Sequence, residues 1–107
     1  MEISKALSAL TALAHETRLL VFKKLVEYGH GGINAGVLAR ELGIKPNTLS
    51  FHLSHLEIAG LVESCRFGRN IQYSFNRMQM NALIGFLNEN CCARDENLSC
   101  LVQNKIC

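Results

Sequence analysis

The sequence predicts a mainly α-helical (α+β) domain, and three observations in the middle of the chain support this prediction. The first is an apolar-periodic segment, Val37–Leu42, that stops at Gly43. The second is a helical run that opens at Pro46, which fits the first turn of a helix, and closes at Gly60. The third is a pair of short alternating stretches that predict a β-hairpin. Two helices joined by a tight turn and followed by a hairpin predict a winged helix-turn-helix with a two-stranded β-hairpin wing.

Apolar residues at helical spacing predict two helices before this unit and one after it. The first is expected at Glu2–Ala14 and the second at Glu16–Gly29. Asn34 is a suitable N-cap for the third helix, because its side chain can accept a hydrogen bond from a free amide of the first turn. The fourth helix, the two wing strands and the last helix are expected at Pro46–Ala59, Leu61–Arg66, Ile71–Phe75 and Met78–Asn90.

Length and composition indicate one domain with a short tail. The chain has 107 residues, which is near the commonest domain size. Residues 1–92 are expected to form the winged-helix domain, and residues 93–107 a polar tail that contains cysteines. Hydrophobic residues make up 49% of the chain, more than one small helical domain can cover, so we expect a homodimer.

Several classes of protein are excluded by what the sequence lacks. It contains no run of 18 or more apolar residues, which excludes a membrane span. The first residues do not follow the pattern of a signal peptide, so we expect a cytoplasmic protein with no membrane partner. Glycine-rich phosphate loops and the metal-binding motifs of hydrolases are also absent, so we do not expect an enzyme.

The fourth helix is the one that a winged helix places in the major groove of double-stranded DNA. The net charge is only +2, but basic residues are concentrated in this unit. Lys45 opens the helix, and the wing carries Arg66 and Arg69 beside Gly68, which permits a tight turn. This distribution predicts a moderate, salt-dependent contact with phosphates. The alternative is that both arginines are ordinary solvated charges.

Helical geometry divides the fourth helix into a buried and an exposed face. Leu49, Leu53 and Leu56 follow one another at helical spacing and are expected in the core. Small polar residues collect on the opposite face, near the N-terminal end, where they can reach base edges and phosphates. The histidines and Phe51 have alternatives as surface residues and as a core or dimer contact. The predicted DNA-binding residues are Lys45, Asn47, Thr48, Ser50, Phe51, His52, Arg66 and Arg69.

These segments resemble the ArsR/SmtB family of metal-responsive winged-helix repressors. The resemblance rests on Ser50-Phe51-His52-Leu53, on Ala59-Gly60-Leu61-Val62, on Arg66-Phe67-Gly68-Arg69 and on His15-Glu16-Thr17-Arg18-Leu19. It covers residues 5–90. It implies a repressor that dimerises through its first and last helices, binds an inverted-repeat operator and is released by an inducer.

The cysteines are distributed unevenly along the chain. Cys91, Cys92, Cys100 and Cys107 lie in the last seventeen residues, whereas Cys65 lies alone in the wing. An odd count argues against a disulfide framework in a reducing compartment. Clustered thiols of this kind indicate metal binding or redox chemistry.

The resemblance also bears on the inducer. Where the arsenic-sensing founders of the family have thiols on the first helix of the helix-turn-helix, this chain has Asn34, Gly36 and Ala39. Zinc sensors use Asp, His and Glu on the last helix, where this chain has only Glu89. Cys91, Cys92 and Cys100 are instead similar to a C-terminal vicinal pair plus one cysteine that binds trivalent arsenic in some members. The resemblance therefore implies an arsenic site on these three cysteines.

The chemistry of the thiols is consistent with that site. Soft thiolates select soft centres such as trivalent arsenic or antimony, and a tetrahedral zinc site would need a fourth ligand, which only Cys107 offers nearby. Arsenite, organoarsenicals and antimonite remain open as inducers, and no organic cofactor is expected. Binding would join the tail to the last helix and change the spacing of the two DNA-binding units of a dimer.

Three alternatives remain open, two for the cysteines and one for the domain as a whole. A redox sensor would pair Cys91 or Cys92 with Cys100, because adjacent cysteines form only a strained disulfide. Cys91 also falls at helical spacing from Leu87 and could continue the apolar stripe of the last helix. Finally, a winged helix can serve protein interaction alone.

Overall fold

Residues 1–95 are the part of the chain that the computed structural model describes, and their elements follow the predicted order. The bounds differ from the prediction by one or two residues: α1 begins at Ile3 rather than Glu2, and α5 ends at Asn88 rather than Asn90. The full order is α1 (Ile3–Leu13), α2 (Glu16–Tyr28), a 3-10 turn (Gly29–Gly31), β1 (Ile33–Asn34), α3 (Ala35–Leu42), α4 (Pro46–Ile58), β2 (Val62–Phe67), β3 (Asn70–Phe75) and α5 (Arg77–Asn88). The predicted tail, residues 93–107, lies mostly outside the described residues.

Local side-chain chemistry sets the ends of these helices. The Asn34 side chain accepts a hydrogen bond of 2.8 Å from the amide of Gly36, which confirms it as the N-cap of α3. Asn76 caps α5 in the same way, accepting from the amide of Gln79 at 3.1 Å. Gly43 ends α3 in the left-handed conformation, with φ of 66°, which glycine adopts without steric cost.

The sheet has three strands rather than the two that were predicted. The wing hairpin is present, and β1 adds to it by pairing antiparallel with β3, Ile33 opposite Tyr73. Because β1 has only two residues, it is too short for an alternating pattern to reveal it. Gly32 makes the approach possible, since a Cβ at this position would lie 2.7 Å from the carbonyl oxygen of Tyr73.

The core lies where α2, α3 and α4 pack together and against the sheet. Leucines supply most of its largest fully buried side chains, and Phe22 meets Phe75 edge to face, with ring centroids 6.4 Å apart. The largest fully buried side chains are Leu25, Leu38, Leu49, Leu53, Leu56, Leu61, Val21 and Val62.

Helix α1 buries its alanines and exposes most of its larger apolar residues. Ala6, Ala9 and Ala12 face the domain, whereas Leu7 remains 57% exposed, and Ile3 and Leu10 are exposed with it. On α5, which packs beside α1, Leu83 is buried but Ile84 and Leu87 are exposed. Alanine allows α1 to approach the domain closely, so the larger apolar residues of these two helices form an exposed apolar surface. We call this surface, Ile3, Leu7, Leu10, Ile84 and Leu87, the α1–α5 surface.

Two neighbouring residues near the end of α4 provide a test of the core. Leu56 is fully buried and Ile58 is 87% exposed, although both are branched apolar residues on the same helix. We expect Leu56→Ala to lower the free energy of unfolding by about 2–5 kcal/mol, because it removes buried contacts and leaves a cavity. The control Ile58→Ala should change it by less than about 0.5 kcal/mol. Urea denaturation at equal protein concentration measures both, and equal losses would contradict this core.

Candidate nucleic-acid interface

Helix α4 presents a polar N-terminal end to solvent. Lys45 has an extended backbone and precedes Pro46, the first residue of the helix. The next residues, Asn47 and Thr48, are exposed, and the Asn47 side chain accepts a hydrogen bond of 3.0 Å from the amide of Thr48. The N-terminus of a helix carries partial positive charge, to which the exposed Lys45 adds a full one. This end of α4 is therefore suited to contact with an anionic surface.

The two faces of α4 are divided almost as the helical spacing predicts. Leu49, Leu53 and Leu56 are buried, while Ser50 and Phe51 are exposed. Phe51 is 58% exposed and packs against the ring of His55, with centroids 4.6 Å apart. The aromatic ring therefore lies on the surface of the helix, in contact with His55.

His52 was predicted to contact DNA from the flank of α4, but it does not lie on this exposed surface. Its side chain is only 6% exposed, and its ring centroid lies 4.9 Å from that of His15, the residue before α2. At 100° per residue, His52 is 60° from Leu49, at the edge of the buried face. Packing of the start of α2 against this edge buries it. Among residues 1–95 no group hydrogen-bonds to its Nδ1.

Burial also changes the acid–base behaviour of His52. It lowers the pKa of the imidazole, because the charged form loses hydration inside the protein. The positive charges of His15, Arg18 and His55 lower it further. His52 therefore takes up a proton less readily than a free histidine, and it packs between α2 and α4.

The wing is a regular hairpin whose tip carries the basic residues. Phe67 pairs with Asn70 across a two-residue loop, in which Gly68 has a φ of 62°. Positive φ at the first loop position is the signature of a type II′ turn, which suits the twist of a hairpin. Arg66 and Arg69 are both exposed at this tip.

A polar contact joins the wing to α4. The Ser64 hydroxyl on β2 donates a hydrogen bond of 2.8 Å to the carboxylate of Glu57.

Seven of the eight predicted DNA-binding residues are exposed, all except His52: Lys45, Asn47, Thr48, Ser50, Phe51, Arg66 and Arg69. The structure thus exposes the polar face of α4 and the charged wing tip on neighbouring elements that are held to each other.

Cys91 and Cys92 lie in a turn that follows α5. Their Sγ atoms are 3.5 Å apart, and both thiols are free. The pKa of the Cys92 thiol is raised, first by the hydrogen bond with Cys91, then by burial and by the negative charges of Cys91 and Asp95. Two adjacent thiols close together can bind one soft centre, which would displace their protons.

The structure decides one alternative for these cysteines and leaves the third ligand open. Helix α5 ends at Asn88, so Cys91 does not continue the apolar stripe of this helix at helical spacing, and that interpretation is wrong. Residues 1–95 hold no group of three His, Cys, Asp or Glu side chains that could bind a metal ion. Cys100 and Cys107 lie outside the described residues.

The start of α2 contributes residues that the sequence interpretation did not include in any site. His15 contacts His52, and the Nε atom of Arg18 is buried without a hydrogen-bond partner in the described part of the chain. Both belong to the segment His15–Leu19, which carries part of the family resemblance but suggests no role for either residue.

No helix of residues 1–95 is long and apolar enough to cross a membrane.

The known proteins to which this chain is similar include transcriptional regulators. The model of a helix-turn-helix domain family matches residues 13–65. The HTH-type transcriptional regulator YgaV of Escherichia coli is 35% identical over 83 residues, which are 78% of this chain and 82% of that protein. An ArsR-like transcriptional regulator from Rhodococcus sp. RHA1 superposes with a TM-score of 0.75 at 28% identity, over 95% of this chain and 93% of that one. A winged helix-turn-helix DNA-binding domain from Mycobacterium bovis has a TM-score of 0.66 at 22% identity, over 89% and 88% of the two chains, which shows a shared fold.

The lowered pKa of His52 predicts how stability depends on pH. Above about pH 6.5 the imidazole is neutral in both the folded and the unfolded chain, so it adds no pH dependence. As the pH falls below this value, the unfolded chain takes up the proton first, and His52 reduces the free energy of unfolding until the folded state is protonated too. Each unit of pKa difference corresponds to about 1.4 kcal/mol.

Urea denaturation at pH 7.5 and pH 5.5 tests this dependence. The native chain should lose more stability between the two values than His52→Gln, which has no proton to bind. Parallel losses in the two proteins would show that His52 does not contribute to the pH dependence.

Proposed function

The chain belongs to the ArsR family of winged helix-turn-helix transcriptional regulators, and we propose that it is a repressor released by trivalent arsenic. It binds an inverted-repeat operator as a homodimer, and arsenic binds to Cys91, Cys92 and Cys100 at the end of each subunit. The observation that supports DNA binding most directly is the exposed polar face at the N-terminal end of α4, beside the basic wing tip.

Each part of this surface has a separate role on DNA. Asn47, Thr48 and Ser50 lie in the first turns of α4, where short polar side chains reach base edges in the major groove. Arg66 and Arg69 bind phosphates, which positions the domain and makes affinity depend on salt. Phe51 contributes an apolar contact, and His52 acts from inside the domain by holding α4 against α2.

The α1–α5 surface supports the homodimer. Ile3 and Leu7 on α1 and Leu87 on α5 are more than half exposed, which is costly for a monomer in water. A second copy of the same surface would cover them, and a two-fold dimer reads an inverted repeat. The related domain from Mycobacterium bovis is described as homodimeric.

The cysteine pair supports the choice of inducer. Its two thiols are close together and accessible, as binding of one thiophilic centre requires. Cys100 supplies the third sulfur that arsenite needs. Because α5 ends three residues before Cys91 and carries part of the α1–α5 surface, arsenic binding acts on the spacing of the two α4 helices. A coupling of about 1–3 kcal/mol changes DNA affinity roughly 5- to 150-fold.

DNA binding is tested first by selection from a random duplex library with the native chain. We expect an inverted repeat whose half-sites lie about 34–36 Å apart. On that duplex, Arg69→Gln should reduce the slope of log affinity against log salt by about 0.9 for each phosphate that the variant no longer neutralises. The control Lys23→Gln removes an exposed charge from α2 and should leave the slope unchanged. Fluorescence anisotropy at several salt concentrations measures both, and failure to select any sequence would refute the function.

Release by arsenic is tested by adding arsenite to the selected complex under reducing conditions. The native chain and the control Cys65→Ser should lose affinity, whereas Cys92→Ser and Cys100→Ser should not, because each lacks one of three sulfurs. A monomethyl trivalent arsenical needs only two thiols and should still release Cys100→Ser. Release by a peroxide but not by arsenite would replace the proposal with thiol redox sensing, which the raised pKa of Cys92 disfavours because the thiolate is the reactive form.

A further inference from the structure

A groove lined by basic side chains and hydroxyls lies between α1 and α4, away from both the wing and the cysteines. Its volume is about 410 Å³, within the range of about 300–1,000 Å³ that is usual for small-ligand sites. Hydroxyls line it on one side and two basic side chains on the other, with apolar walls between them. Its polar lining residues are Ser4, Ser8, Thr11, Arg18 and His55.

Arg18 is the residue of this groove whose charge has no ion-pair partner in the described chain. Its Nε is buried, and within residues 1–95 this nitrogen donates no hydrogen bond and the side chain forms no ion pair. The Nε atom is too buried to be reached from the groove, but a guanidinium that has no carboxylate partner still has further N–H donors that can bind an anion there. No Asp or Glu of the described chain lines the groove, so these residues do not neutralise the charge there.

A second nitrogen without a hydrogen bond lies on the same side of the domain. The Nδ1 of His52, whose side chain is 6% exposed, also lacks a partner within the described chain. It packs against His15, which precedes α2, the helix that carries Arg18. The junction of α2 and α4 thus contains two buried side-chain nitrogens that have no hydrogen-bond partner among residues 1–95.

We propose that this groove binds an oxyanion, a phosphate or carboxylate group, through Arg18 and His55 together with the hydroxyls of α1. Guanidinium forms charge-assisted hydrogen bonds to such groups, and its fork of donors matches two oxygens of one anion. Ser8 and Thr11 complete the site as neutral donors. Ile58, which also lines the groove, suits an anion that has an apolar portion, whereas Leu7 at the same groove belongs to the α1–α5 surface.

Two sources could supply the phosphate chemistry. His55 lines the groove and also packs against Phe51 on the exposed face of α4, so the groove borders the proposed DNA surface. A backbone phosphate of bound DNA would then occupy it, an assignment that rests on the proposed function. A free anion from solution would occupy it whether or not DNA binds.

Three variants that each make the net charge more negative by one unit test the site. Arg18→Gln removes the guanidinium, Ser8→Glu places a carboxylate beside it at an exposed position, and Lys23→Gln is the matched control. Lys23 is exposed and lies 140° around α2 from Arg18. Circular dichroism and thermal unfolding establish that each variant is folded, and Ser8→Glu keeps the test valid if Arg18→Gln is not.

The first measurement uses the free protein and inorganic phosphate. If the source is a free anion, phosphate should shift the NMR signal of the Arg18 Nε–H saturably, and Ser8→Glu should abolish this shift. The second measurement is the salt dependence of DNA affinity. If the source is DNA, Arg18→Gln and Ser8→Glu should each lower the slope by about 0.9 per phosphate, while Lys23→Gln leaves it unchanged.

The outcomes separate this proposal from the function on which one source depends. No response to phosphate, together with unchanged salt dependence in both groove variants, would overturn the anion site even if the native chain binds DNA well. If the native chain binds no DNA, the proposed function fails, and the phosphate titration alone decides the groove.

Discussion

Burial of the leucine face of α4 is the constraint on which the rest of the structure depends. Leu49, Leu53 and Leu56 are each at most 1% exposed and fix the rotation of α4 about its own axis. With these side chains inside, Asn47, Thr48 and Ser50 must face water, because a helix presents opposite sides at fixed angles. The same rotation turns Glu57 toward Ser64, which joins the wing to the helix. Burial of the leucines therefore fixes both the packing of the core and the set of side chains that α4 exposes.

A second constraint is the difference in side-chain size along α1. Its alanines allow close packing against the domain, and most of its larger apolar residues are left outside with those of α5. A helix that buried its larger residues would stand farther from the domain and expose alanine. The observed arrangement instead leaves apolar area that water solvates poorly, which favours assembly of two chains. The cysteine turn follows α5 directly, so a ligand there acts close to the surface that assembly would use.

The start of α2 is the place where buried polar groups remain unsatisfied. His52 and Arg18 each carry a buried nitrogen without a partner among residues 1–95, although native proteins satisfy most such groups. Lowering the pKa of His52 removes one buried charge, whereas a guanidinium remains charged at any physiological pH. Arg18 therefore keeps its charge with no ion-pair partner among residues 1–95.

The sequence by itself determined the order of the helices, the caps at Asn34 and Gly43, the hairpin turn at Gly68 and the exposure of most α4 site residues. Each of these depends on residues within a few positions of one another, and local rules of capping, turn chemistry and helical spacing suffice for them. Only the tertiary structure decided that β1 joins the sheet, that His52 is buried, that α1 turns Leu7 and Leu10 outward and that Arg18 lines a groove. All four depend on which distant element packs against a given side, and single-sequence periodicity does not contain that information.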